Sequence, residues 1–322
     1  EMKAITKRAL NASQCKDGLK SNFCLVLGLQ WGYEGKNKLI DKLVQNYDYS
    51  CRYNGGVVTE PTQLKSGGRL LLLPNGMKHE SSQVKCILGN GVAIDPNALL
   101  QDFQAIDKEG LTLKDRLFIS DRANLVTSFH EEICSKLTQI RNNDSAWLDK
   151  EDITFAFKPM KMALRMTNLI HDWAEFKDNY ERVRRTTEQL FNITVSEDIV
   201  NSDLDNFRQL REILLKNEVV KDTIVLLNSE MKNKKRILVE DASSSSMDVD
   251  TGLYPFTDSF HTTTGAVCTG LGVPEEAIET TIGVFSAVSI VRKEFLQRIK
   301  DFPTHIQESD PAHASIKKRL LQ

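Results

Sequence analysis

A chain of 322 residues with 42 Lys and Arg against 44 Asp and Glu carries a formal charge of −2, and 40% hydrophobic with 27% charged residues is an ordinary globular composition. That balance excludes a strongly basic nucleic-acid binder and an acidic disordered chain, and no apolar run reaches the 18 residues that a membrane-spanning helix needs. The length suits one large domain or two ordinary ones.

Residues 1–22 hold Lys3, Lys7, Arg8, Lys16 and Lys20 without an apolar stretch. They read as a flexible basic leader, with a remnant of an organelle-targeting segment as the alternative. Residues 23–322 read as the folded domain. Phe23–Leu29 is a short apolar segment closed by glycines, and Leu39, Ile40, Leu43 and Val44 follow at helical spacing, which predicts strand, glycine turn and helix. Further strands are expected at Ser50–Tyr53, Leu70–Leu73, Val84–Leu88, Leu117–Ser120, Arg236–Glu240 and Thr281–Val291, with helical patterns between several of them. The alternation predicts an α/β fold around a mixed, mainly parallel sheet, with Phe23–Leu29 near its centre. His171–Leu190 and Glu197–Met231 are charge-rich and nearly free of Gly and Pro, so about 171–231 reads as a helical insertion on one flank. Asp241–Asp250, DASSSSMDVD, reads by composition as a solvated loop. Tyr254, Pro255 and Phe256 are expected to pack under the sheet, and His130 to be a packed core histidine on a helix. The six cysteines lie far apart with no C-x-x-C pair, which fits reduced, buried thiols in the cytosol.

The chemistry-bearing segment is the glycine turn GLQWGYEGKNK, Gly28 to Lys38. Such a turn between a strand and a helix collects backbone N–H groups, and phosphate is the ligand it suits. It is not a Walker loop, because glycine is absent at Gln30 and Ser or Thr is absent at Asn37. Structural turn and anion site both remain open on these residues, with Lys36 and Lys38 favouring the anion. No histidine or cysteine pair has the spacing of a zinc site.

The exact strings say more. QWG-x-EGK at 30–36, CR-x-x-GG at 51–56, LLP-x-G at 72–76, GNGV-x-I at 89–94, ISDRA-x-LV at 119–126, ILVE at 237–240, D-x-D-x-G-x-YPF at 248–256, GAVCTGLG-x-P at 265–274 and FPT at 302–304 resemble the adenylosuccinate synthetases in order and spacing. The resemblance implies a GTP- and magnesium-dependent ligase that joins inosine monophosphate to L-aspartate on the way to AMP. It also implies a cytoplasmic homodimer, nucleotide contacts from Gly32, Glu34, Gly35, Lys36 and Lys38, and no nucleic-acid or membrane partner.

Departures from the family pattern fall on the chemistry. The family's QWGDEGKGK carries an aspartate that ligates magnesium and removes the purine N1 proton; here that position is Tyr33, and a phenol holds its proton at neutral pH. The histidine of GGNNAGHT becomes Pro61, which has neither a side-chain donor nor a backbone N–H. EGANA becomes EDASS at 240–244, placing Asp241 at a glycine and Ser243 at the amide that holds the purine nucleotide. The IGTT-x-x-GIGP-x-Y segment has no counterpart before KPMKMALRM at 158–166. In VVKAYTTRVG a lysine becomes Ser286, and the arginine is displaced to Arg292. The family's aspartate-binding arginines and its guanine-recognising TKLD motif follow the FPT match, and the sequence ends at Gln322 before them, which a fragmentary chain would explain, whereas the replacements at Tyr33 and Pro61 have no such explanation. The expectation is therefore an impaired or inactive ligase. The alternative is a non-catalytic scaffold with weak nucleotide or phosphate binding, or one that dimerises with an active homologue.

Overall fold

A computed structural model describes residues 21–58, 61–79, 84–141 and 148–287. In chain order the elements are β1 (Phe23–Gly28), α1 (Lys36–Leu43), β2 (Tyr49–Arg52), β3 (Thr62–Gln63), β4 (Arg69–Leu70), β5 (Lys85–Leu88), β6 (Ala93–Ile94), α2 (Pro96–Lys108), β7 (Leu117–Ser120), β8 (Asn124–Leu125), α3 (His130–Ile140) and α4 (Lys150–Phe157). There follow α5 (Met166–His171), α6 (Trp173–Phe191), α7 (Glu197–Asn217), β9 (Val220–Lys221), α8 (Thr223–Lys232), β10 (Ile237–Glu240), α9 (Thr264–Leu271) and β11 (Thr280–Val284).

The seven-stranded sheet runs in the order β11-β1-β10-β2-β5-β7-β9, and every pairing in it is parallel. The antiparallel component is the small β3–β4 ribbon. A strand buried on both faces must be apolar throughout, and β1 is: Phe23, Leu25 and Leu27 point into the layer shared with α8 and α9, while Cys24 and Val26 pack against Ile40 and Leu43 of α1. On that second side the larger core joins α2, α3, α6 and α7 to β5 and β7.

Helix starts follow local chemistry. Asp95 caps α2 by accepting from the Asn97 and Ala98 amides at 2.8 and 3.2 Å, with Pro96 in the first turn. Asp149 and Asp152 form a reciprocal capping box on α4.

Several expectations are corrected. Phe23–Leu29 is second from one side of the sheet, because β11 pairs outside it. Leu71–Leu73 do not extend a strand: their amides all donate to the buried carboxylate of Asp102, at 2.7 to 2.8 Å, which takes the place of a ladder partner. The 171–231 region is not one flank, since β9 adds an edge strand beside β7 and α8 then returns to the opposite face. Phe256 is buried but Tyr254 is 76% exposed. His130 is a packed core histidine, as expected, bonded through Nδ1 to the Thr154 hydroxyl at 3.0 Å. Residues 1–20, Arg292, the far part of the expected Thr281–Val291 strand, and the FPT match lie outside the described residues.

Candidate functional site

The loop of Leu29–Gly35 leaves the carboxyl end of β1 and enters α1, the position in an open parallel sheet where ligands bind. Gly35 precedes the helix with φ +76° and Gly32 has φ +95°, conformations that a side chain would strain. The loop is anchored beyond β11: the Leu29 amide donates to the Val284 carbonyl at 2.9 Å, and the Gln30 side-chain amide exchanges hydrogen bonds with the Ser286 backbone.

Of the expected site residues, Gly32, Glu34, Gly35 and Lys36 converge, whereas Lys38 is exposed to solvent and Tyr33 is half-buried. The convergence differs from an open phosphate cradle. Oε1 of Glu34 accepts from the Gln30 amide at 2.8 Å and from the Gly32 amide at 3.1 Å, and the Ser244 hydroxyl also donates to it. Oε2 pairs with the Lys36 ammonium at 3.3 Å. Burial pushes the Glu34 carboxyl up, but Lys36, Ser244 and the Gly32 amide together outweigh it and hold it below the ordinary range.

The other wall is the segment after β10, which lies beside β1. Composition pointed to solvent here, and the structure corrects this: Asp241, Ser243, Ser244 and Asp248 are all buried. The Ser243 carbonyl accepts from Lys36, and Ser244 Oγ also accepts from the Gly32 amide at 2.9 Å. Oδ1 of Asp241 accepts from Asn54 Nδ2 at 2.8 Å and from the Tyr53 hydroxyl at 3.3 Å, while its Oδ2 is buried without a partner. Burial pushes this carboxyl up against the opposing pull of Lys36. Sequence reasoning missed Ser244 as a loop contact. The one available signal was a hydroxyl at the alanine of the family's EGANA.

On the loop itself a magnesium ion would find no free carboxylate, and the unengaged carboxylate oxygen in the facing wall, Asp241 Oδ2, is buried. Tyr33 supplies none, and both oxygens of Glu34 are engaged. Two of the loop's amides, those of Gln30 and Gly32, are likewise already bonded to Glu34. Pro61 is half-buried just before Thr62, whose hydroxyl bonds the Asn75 side chain. A cleft of about 480 Å³ opens beyond β2 and β5, lined by Tyr53 and Asn54 together with Arg122, Lys158, Arg165, Phe155 and Phe260. Lys158 lies 5.5 Å from the centre of the Phe155 ring, and burial, with Arg165 nearby, lowers its pKa.

A family model described as adenylosuccinate synthetase matches residues 25–295. The adenylosuccinate synthetase of Paramecium tetraurelia is 34% identical over 279 residues, which cover 85% of this chain and 63% of that protein. That of Schizosaccharomyces pombe is 33% identical over 290 residues, covering 89% and 64%. The chain thus spans under two thirds of the length of these curated relatives. Among solved structures, the fully ligated adenylosuccinate synthetase of Plasmodium falciparum superposes with a TM-score of 0.74 at 26% identity, covering 87% of this chain and 68% of that one.

Proposed function

Because the chain belongs to the adenylosuccinate synthetase family, we propose that it is a member whose GTP-dependent ligation of inosine monophosphate to aspartate is lost or nearly so. The observation that carries this reading is Tyr33, in the position of the family's catalytic aspartate on a loop whose neighbouring carboxylate, Glu34, is already fully hydrogen-bonded. Loss of a general base costs about 10² to 10⁴ in rate, and loss of one electrostatic stabiliser, as at Pro61, about 10² to 10³. Asp241 and Ser243 replace the backbone freedom and the amide that would hold the purine nucleotide, so binding weakens as well as chemistry.

The framework around the loop is nonetheless complete from β1 to β11, which favours a role that needs the fold and not the turnover. This is a cytoplasmic scaffold that dimerises with itself or with an active homologue. Free thiols at Cys24, Cys51, Cys86, Cys134 and Cys268 suit a reducing compartment.

The test is adenylosuccinate formation at saturating GTP, inosine monophosphate, aspartate and magnesium, for the chain and for the Tyr33→Asp, Pro61→His double variant. Neither is expected to turn over, because catalysis requires substrates held in near-attack geometry and misplacement by about 1 Å can cost 10²-fold. Turnover near 1 s⁻¹ by the unaltered chain, a low but ordinary enzymatic value, would overturn the proposal. The same rate in the double variant alone would show that only two chemical groups had been lost.

A further inference from the structure

The polar groups at the carboxyl end of β1 meet over Gly28. A Cβ at that residue would stand 2.2 Å from Ser244 Oγ, 2.7 Å from Glu34 Oε2 and 2.8 Å from Lys36 Nζ, so glycine is what lets the three side chains converge. Two loop amides, one hydroxyl and one ammonium make the donor set that a phosphate oxygen takes at a strand–loop–helix junction. All four point at the carboxylate of Glu34, whose side chain has no exposure to solvent.

We infer that Glu34 is a built-in occupant of the phosphate cradle, clamped there by Ser244 and Lys36, and that an incoming phosphate binds the loop only by displacing it. A phosphate cannot share the cradle, because two anions a few ångström apart in a buried site repel by several kcal/mol even at an effective dielectric constant of 20. Displacement must also return a fully desolvated carboxylate to water while Lys36 changes partner. Ser244 makes the clamp particular to this chain, since its hydroxyl both donates to Glu34 and accepts from the Gly32 amide. An alanine there, as in the EGANA pattern, could do neither. The inference deepens the proposed loss of ligase activity and rests on that reading only in taking this loop as the phosphate site.

Calorimetric titration of the full chain with inorganic pyrophosphate at low salt tests it, in parent, Glu34→Gln and Ser244→Ala. The parent is expected to bind without saturation below about 1 mM, Glu34→Gln at least about tenfold more tightly, and Ser244→Ala severalfold more tightly. Ser244→Ala keeps every charge and decides the matter if Glu34→Gln fails to fold. Saturable binding by the parent well below 1 mM, or pyrophosphate affinity unchanged or absent in the folded variants, overturns the inference. The two claims fail separately: ligase turnover by the unaltered chain sinks the functional reading, whereas affinity indifferent to residues 34 and 244 sinks only this one.

Discussion

At the phosphate loop, Lys36 lies buried against Glu34 and the Ser243 carbonyl, so its charge is answered within the chain. In the cleft beyond β2 and β5, Lys158 rests over the Phe155 ring beside Arg165, and no ion pair answers it among the described residues. The acids differ in the same sense: Glu34 is held ionised below its ordinary range, whereas Glu151 and Asp152, at the start of α4 beside the cleft, are both pushed up to about 7 by burial and by Asp149. A compensated charge belongs to the fold, and an uncompensated one is available to a ligand. The loop, whose string resembles the family's, falls in the first class.

The largest effect that would break this contrast is on stability. Lys36→Met leaves Glu34 buried without its cation and should cost about 3–5 kcal/mol, while Lys158→Met removes a charge with no acidic partner and should change stability by no more than about 0.5 kcal/mol. Urea unfolding of both variants measures it, and equal losses would erase the distinction.

A smaller effect lies in the pH dependence. Acids whose folded pKa is raised contribute stability that is complete below their unfolded values and lost as pH rises through the folded value, so Glu151 and Asp152 should weaken the fold as pH rises from about 4 to about 7. Glu34, being lowered, acts oppositely, and its contribution disappears only as pH falls below the ordinary carboxylate range. Asp152→Asn should flatten the decline across about pH 4 to 7 by roughly 2–4 kcal/mol. A decline identical to the parent's would place its origin elsewhere.

A small change of opposite sign is expected at Gly265, on α9 next to the cleft residue Ala266. A Cβ there meets nothing within 4 Å, unlike one at Gly28. Gly265→Ala should therefore stabilise the chain by about 0.5–1 kcal/mol in thermal or urea unfolding, through helix propensity and a less flexible unfolded state. A loss of stability would mean that this glycine, like Gly28, is needed for close approach.

Parts of the fold were legible because period and punctuation are local. The short apolar run of Phe23–Gly28, the glycines of the turn and the helical spacing after Lys36 specify strand, loop and helix without knowledge of their neighbours. Val220–Lys221 escaped because two residues carry no period, and Leu71–Leu73 misled because an apolar run looks the same whether its amides meet a strand or the carboxylate of Asp102. DASSSSMDVD misled for a different reason. Serine is small and polar enough to suit either solvent or a packed hydrogen-bond network, so composition cannot separate them.

By itself the sequence determined the family, through ordered strings spread from residue 30 to 304. It also carries the residues on which the proposed loss of activity rests, because a phenol at Tyr33 and an imino acid at Pro61 hold neither a carboxylate nor an imidazole whatever surrounds them. Only the tertiary structure decided where the carboxylate of Glu34 goes. That depends on β10 lying beside β1, which brings Ser244 across 210 residues of sequence to the loop, and strand order is a long-range choice that no local period encodes.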